Sequence, residues 1–353
     1  MVINSISESK GTDRKTSTLA VIIVSLYYKM IKFKKIYPRR RLGNTDIEIT
    51  PIGLGVMQFS GRGIFKLMFP TLPAETMNGI VKTALEEGIN WFDTAEVYGR
   101  GHSEQALANA LKAAGQKDTD VIIATKWFPL FRMASNILRT IGERQRNLDG
   151  YTIDLYQIHQ PYSLSSIEAE MNAMADLVEA GKIRSVGVSN FSSGQMRRAH
   201  AALAKRGLPL ASNQVQYSLV NRSIESNGIL DTARELGATI IAYSPLGSGI
   251  LTGRFHSDPD ALRNTPLGRR VLLRRRLEKS RPLIAVLEEV ADAHDVVPSQ
   301  VALNWLVNFH GDVVVAIPGA SRVHHAQQNA AVMNFALSER EMERIDELSR
   351  RFR

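Results

Sequence analysis

Asp93, Tyr98, Lys126 and His159 stand at or just past the carboxyl ends of three apolar runs, in INWFDTAEVYG, VIIATKW and DLYQIHQ. A fourth run, VGVSNF, ends on Ser189 and Asn190. These residue types together suit proton delivery to a carbonyl oxygen. A phenol ionises near pH 10 and is a poor donor at neutral pH; a neighbouring ammonium lowers that value, and a carboxylate keeps the ammonium charged and oriented. A histidine beside them can hydrogen-bond the carbonyl or relay the proton, and such acid–base help is worth about 10²–10⁴ in rate. The set contains no electron source, so a reduction would draw hydride from a cofactor. Singly, each residue has a plainer reading: Asp93 as a turn acid, Tyr98 as a packed rim aromatic, Lys126 as a snorkelling side chain, His159 as a satisfied core histidine. The signal is that all four fall at neighbouring strand ends.

The elements that must position them alternate strictly. RRLGNTDIEIT, with its Gly43-Asn44 turn, reads as a β-hairpin. Strands are then expected at Pro51–Val56, Ile89–Asp93, Val121–Lys126, Ile153–His159, Ile183–Ser189, Ala211–Tyr217, Thr239–Ser244 and Val313–Ile317. Helices are expected over Ala74–Glu87, from an N-cap at Ser103, within Ala134–Leu148, over Ser165–Ala180 ending at Gly181, and at Pro282–His294, Pro298–Asn308 and Val323–Met333. Ser338–Leu348 opens on SERE, a capping-box spacing. Leu246–Arg281 is Gly/Arg-rich and weakly patterned, and reads as an inserted rim loop. Eight strands in β/α order predict a (β/α)₈ TIM barrel with an N-terminal hairpin and extra C-terminal helices. There is no GxGxxG, because Gln58 stands where the third glycine after Gly53 and Gly55 would be, which disfavours a Rossmann fold.

The chain has 353 residues, no cysteine and a net charge of +9. Without cysteine there is no disulfide frame, thiol nucleophile or thiolate metal site. Residues 1–41 hold ten Lys/Arg against two acids, leaving 34 bases against 33 acids in the rest. So balanced a body offers no footprint for nucleic acid. Leu19–Tyr28 is apolar but at ten residues too short to span a bilayer, which takes about 20. We therefore read residues 1–38 as an extension, disordered or upstream of a start at Met30, rather than as a membrane anchor, and residues 39–353 as the barrel domain. The histidines His102, His324 and His325 are too scattered for a metal set.

WFDTAEVYG, IIATKW, DLYQIHQP and VGVSNF resemble the signature segments of the aldo-keto reductase family in their usual order, and the resemblance covers about residues 39–350. It implies a cytoplasmic reductase of small-molecule aldehydes or ketones using NADPH, with NADH also admitted. Tyr98 would be the acid, Lys126 and Asp93 would tune it, and His159 would orient the carbonyl. By matching position, Ser189, Asn190 and Gln214 would hold the nicotinamide carboxamide and Tyr243 would stack on the ring. Ser244, Leu246 and Ser248 would follow the pyrophosphate, while Gly319, Ser321, Arg322, Gln328 and Asn329 would meet the adenosine end, an anion site before a helix. Two departures stand out: many relatives carry Lys where this chain has Gly319, and often an acid where it has Gln328. The 2′-phosphate would then rest on Ser321 and Arg322, with the cluster Arg269, Arg270, Arg274, Arg275 and Arg276 either covering the phosphates or lying on a solvated face.

The loop after strand one is unusually apolar, and Phe59, Phe65, Met68 and Phe69 with Met57 and Trp127 would make a substrate wall favouring hydrophobic carbonyls. Two rivals share the barrel: a non-catalytic nicotinamide-sensing subunit, like the β-subunits of potassium channels, and an aldolase or isomerase using Lys126 as a Schiff base.

Overall fold

Eight short parallel strands carry the fold, and their ends carry the chemistry. The computed structural model describes residues 37–61, 71–263 and 267–353. Leu19–Tyr28, Met30, Phe65, Met68 and Phe69 lie outside the described residues, as do the side chains of Arg269, Arg270, Arg274 and Arg275. The strands are β3 (Leu54–Gly55), β4 (Trp91–Asp93), β5 (Ile122–Trp127), β6 (Leu155–Ile158), β7 (Ser185–Ser189), β8 (Leu210–Gln216), β9 (Thr239–Tyr243) and β10 (Val314–Ala316). They pair in parallel in chain order, and the bridges Ile52↔Ala316 and Gly55↔Gly319 bring the last strand back to the first. The sequence-predicted strands all appear, trimmed by one to three residues at most ends.

A two-stranded antiparallel hairpin, β1 (Arg40–Arg41) and β2 (Glu48–Ile49), plugs the amino-terminal mouth. Its Leu42, Ile47 and Ile49 pack with Trp91, Ala124, Leu155, Ala211, Ile241, Val315 and Ile317, one apolar side chain or more from most barrel strands. Gly43 is needed at the turn: its φ is +55°, and a Cβ there would lie 2.4 Å from the Ala211 carbonyl oxygen. Trp91 fixes the plug by donating its indole N–H to the Thr50 carbonyl at 2.8 Å.

The barrel helices bury one face each, as their apolar spacing dictates. In α1 (Ala74–Glu86) that face is Met77, Ile80, Val81, Ala84 and Leu85. The others are α2 (His102–Ala113), α3 (Ser135–Asn147), α4 (Ile167–Glu179), α5 (Ser193–Ala204), α6 (Ile229–Leu236), α7 (Leu267–Ala293), α8 (Pro298–Asn308), α9 (Val323–Ala331) and α10 (Glu339–Ser349). The capping box before α10 forms, Ser338 accepting from the Glu341 amide and Glu341 from the Ser338 amide. Ser103 does not cap α2. Gly101, at φ +85°, takes that position, and the Ser103 hydroxyl instead donates to the Val56 carbonyl at 2.7 Å inside the first turn.

Two further differences have physical causes. The expected rim loop at Leu246–Arg281 is largely helical: after a 3₁₀ stretch at Gly247–Thr252 and two short helices, α7 begins at Leu267 and runs through Pro282. The buried stripe Leu277, Ser280, Ile284, Leu287 and Ala291 keeps helical spacing across the proline, which a reading that starts the helix at Pro282 misses. The helices α5 and α6 are not among the expected ones; α5 is capped by a Ser192–Gln195 box and α6 ends on Gly237 at φ +63°.

The carboxyl terminus is locked to the barrel by a buried ion cluster. Arg222, fully buried, donates to Asp346 Oδ1 at 2.6 Å, to both Glu225 oxygens at 2.7 Å and to Ser349 Oγ at 2.6 Å, with its guanidinium 4.6 Å over the Trp305 ring. Arg353 reaches the same two acids. Removing the central cation leaves two buried carboxylates with only the partly exposed Arg353 and, for Asp346, Arg350 as cations, so Arg222→Met is expected to lose about 3 kcal/mol in urea titration. A loss below about 1 kcal/mol would contradict this account of the cluster.

Candidate active site

A cavity of about 500 Å³ opens at the carboxyl ends of the strands, lined by residues that the sequence order scatters over more than 260 positions, from Gly55 to Gly319. Asp93, Tyr98, His159, Ser189, Asn190, Gln214, Tyr243, Ser244, Gly319 and Met57 all line it. Lys126 does not. It is fully buried just beneath, its ammonium donating to Asp93 Oδ1 at 2.5 Å and to the Thr94 carbonyl at 2.8 Å. The same nitrogen lies 5.4 Å from the centre of the Tyr98 ring. The His159 ring meets Tyr98 edge-on at 5.7 Å, completing the group.

Strand pleating explains why these side chains converge. On β6, Leu155 joins the barrel interior and Gln157 reaches Asp93, so His159 continues the inward row by period two. On β5, Ala124 and Lys126 face inward, which turns Trp127 outward. Trp127 is fully buried between barrel and helices and donates to Asn136 Oδ1 at 3.0 Å, so it lines no part of the cavity; Phe128 takes that place. Phe59 is also core rather than wall.

Burial dominates the electrostatics. Desolvation, then the Asp93 charge and Tyr243, push the Tyr98 phenol well above its ordinary value. The net direction is therefore opposite to the one expected from the ammonium alone, because burial and the Asp93 charge outweigh it. Desolvation pulls the Lys126 ammonium down while Asp93 holds it up. Burial, and then the Lys126 charge, lower His159 to about 3, so its imidazole is neutral. The second Asp93 oxygen accepts amide bonds from Gln214 at 2.9 Å and Gln157 at 3.3 Å.

The DTAEVYG turn that carries Tyr98 is held from behind. Glu96 accepts from the Phe128 backbone N–H at 2.6 Å, from Arg132 at 2.5 Å and from the buried Arg144 at 2.6 Å. Arg144 also meets Glu104 at 3.1 Å, and Glu104 accepts from Thr125 at 2.6 Å. One guanidinium on α3 thus ties the tyrosine loop to the end of β5.

On the opposite wall Ser189 donates to the Gln214 carbonyl at 2.9 Å, Asn190 to Ser189 Oγ at 3.0 Å, and the Tyr243 hydroxyl to Asn190 Oδ1 at 3.0 Å. Asn190 and Ser244 adopt φ of +61° and +50°, left-handed conformations uncommon for such residues and frequent at binding sites. Toward α9, Asn329 donates to the Gly319 carbonyl at 3.3 Å, Gln300 to the Gln328 carbonyl at 3.1 Å, and Ser321 lies against His325. Leu246 packs against the core. Ser321, Arg322, Gln328, Asn329, Leu246 and Ser248 lie outside the lining of the main cavity. A dinucleotide fits this chemistry: the cavity offers amide and hydroxyl groups along one wall. Gln58 adds a buried Oε1 with no hydrogen-bond partner, beside a Gly319 where a Cβ would come within 2.1 Å of its side chain. Gln58, Gln157 and Phe128 were not legible as site residues from motif spacing; the inward parity of β6 was the available signal for Gln157.

A (β/α)₈ barrel with a cavity and ionisable groups at the carboxyl ends of its strands has the layout of a barrel enzyme. Comparison with known proteins narrows it. The Aldo/keto reductase family matches residues 51–350, and the chain belongs to that family as an NAD(P)H-dependent oxidoreductase. It is 37% identical to an uncharacterized oxidoreductase of Mycobacterium tuberculosis, over 87% of this chain and 91% of that one. It is 29% identical to a Schizosaccharomyces pombe aldo-keto reductase named for NADP(+), over 88% and 91% respectively. The solved glycerol dehydrogenase of Gluconobacter oxydans superposes with a TM-score of 0.73 at 28% identity, over 89% and 95% of the two chains. Among the described residues no helix is long and apolar enough to cross a membrane.

Proposed function

We propose that the protein reduces aldehydes or ketones to alcohols with NADPH, Tyr98 supplying the proton. The observation that carries this is the buried Asp93–Lys126 pair set 5.4 Å under the Tyr98 ring on a cavity wall shared with His159. When bound, NADPH supplies the hydride. Ser189, Asn190 and Gln214 offer hydroxyl and amide groups to its carboxamide, and Tyr243 offers the ring face. Ser321 and Arg322 lie before α9 as the grip for a 2′-phosphate, and the S. pombe relative's name agrees with that cofactor.

The residues divide the proton work. Neutral His159 donates a hydrogen bond to the substrate carbonyl and holds it near Tyr98; an imidazolium is not available at working pH. The Tyr98 phenol stays protonated until charge develops on the carbonyl oxygen, then gives up its proton. The Lys126 cation stabilises the phenolate left behind, and Asp93 holds that cation in place. A fully buried Lys126, absent from the cavity lining, is badly placed to form a Schiff base.

The test is NADPH oxidation by the purified protein with aliphatic and aromatic aldehydes, alongside cofactor binding by fluorescence. Turnover is expected with NADPH saturating at lower concentration than NADH. Tight binding with no turnover on any carbonyl would overturn the reading in favour of a sensing subunit.

A further inference from the structure

Among the described residues seven large apolar side chains are exposed, and six of them fall in two segments: Leu130, Phe131, Met133 and Leu138 after β5, and Tyr162 and Leu164 after β6. Scattered exposed apolar groups need no explanation, but a contiguous patch on a rim marks a binding surface. The two segments are neighbours in space. The Leu164 amide donates to the Arg132 carbonyl at 2.9 Å, and the Ala134 amide to Ser165 Oγ at 2.9 Å, which lays the loops after β5 and β6 side by side.

The patch also begins inside the cavity. Phe128 lines the cavity and meets the His159 ring edge-on at 5.6 Å, and Tyr162 meets Phe128 at 6.4 Å. An aromatic path therefore leads from the histidine to the exposed rim. Phe131, 82% exposed, is held at φ +56°, a conformation rare for a bulky residue, with its loop closed by the Arg132 amide on the Pro129 carbonyl at 2.9 Å. The tie that holds Phe128, its backbone N–H on Glu96, belongs to the same turn as Tyr98.

We propose that this shelf binds the apolar tail of the carbonyl substrate, so that the protein prefers aldehydes or ketones bearing a long alkyl or extended hydrocarbon group. The inference rests on the reductase reading above and names its substrate class. The carbonyl sits between Tyr98 and His159, and the tail leaves over Phe128 and Tyr162 onto Leu164 and Phe131. Continuity with the reaction cavity favours a substrate tail over a second copy of the chain, which would need no path to His159. The cavity's mostly apolar approach on this side offers a sugar's hydroxyls few partners.

The experiment compares butanal, hexanal and octanal with saturating NADPH, in the unmodified protein and in Phe131→Ser/Leu164→Ser. Expected is a kcat/KM that rises roughly fourfold per methylene in the unmodified protein, the size of a buried CH₂. In the double variant octanal should lose about tenfold, mainly in KM, while butanal changes less than about twofold. Butanal turnover with a flat length profile, or an octanal kcat/KM that falls by less than about twofold in the double variant, would overturn the shelf alone. A variant that shifts a dimer to monomer in sedimentation with the profile intact would assign the face to self-association and overturn it too. No turnover of butanal by the unmodified protein would overturn the reductase reading and the shelf with it.

Discussion

Tyr98→Phe is expected to slow single-turnover reduction of an aldehyde by about 10²–10⁴-fold while leaving the NADPH Kd within about twofold. The phenol belongs to the ring that lies 5.4 Å from the buried Lys126 ammonium, and the substitution keeps that ring packed against His159. Single-turnover rates are the right measure because cofactor release can mask chemistry in kcat. The pH dependence follows from the same site. The acid must be protonated, and a phenol pushed above its ordinary value keeps that form at every pH below it. The histidine must be neutral, and a value lowered to about 3 keeps that form at every pH above it. Reduction is therefore expected to show no step near the usual histidine value of about 6.5. A clear loss of rate on raising pH through that value would show that an imidazolium is the donor.

Lys126→Met is expected to damage both stability and chemistry. It leaves the Asp93 carboxylate buried with only the amides of Gln157 and Gln214, and breaking one side of a buried pair costs about 3–5 kcal/mol. It also removes the cation that stabilises the Tyr98 phenolate, so turnover should fall by about as much as in Tyr98→Phe. The two effects separate in the double variant Asp93→Asn/Lys126→Met, where no buried charge is stranded. Urea titration should show most of the lost stability restored there, with turnover still absent. Restored turnover would mean that the pair is purely structural.

What was legible in the sequence was what local chemistry fixes. Apolar runs ending in ionisable residues placed Asp93, Lys126 and His159 on one rim, because parallel strands in a barrel all end on the same side. The SERE cap and the Gly43 turn were equally local. What failed depended on tertiary context. Trp127 read as part of an apolar substrate wall, yet it follows the inward-facing Lys126, adjacent residues on a strand face opposite sides, and parity sends it into the helix layer. The same parity would have found Gln157. The long helix α7 was hidden because Pro282 reads as a helix start, while its buried stripe reaches back to Leu277. The raised Tyr98 phenol was illegible too, since motif spacing carries no measure of desolvation and burial outweighs the neighbouring charge.

The central claim is that hydride passes from the cofactor to a carbonyl carbon within this cavity, and isotope transfer measures that directly. NADPH deuterated on the transferring face of the nicotinamide C4 is incubated with the enzyme and octanal, and the alcohol is examined by mass spectrometry. The account predicts one deuterium on the carbinol carbon of every product molecule formed. Octanol without the label, or no alcohol from a protein that binds NADPH, would contradict it.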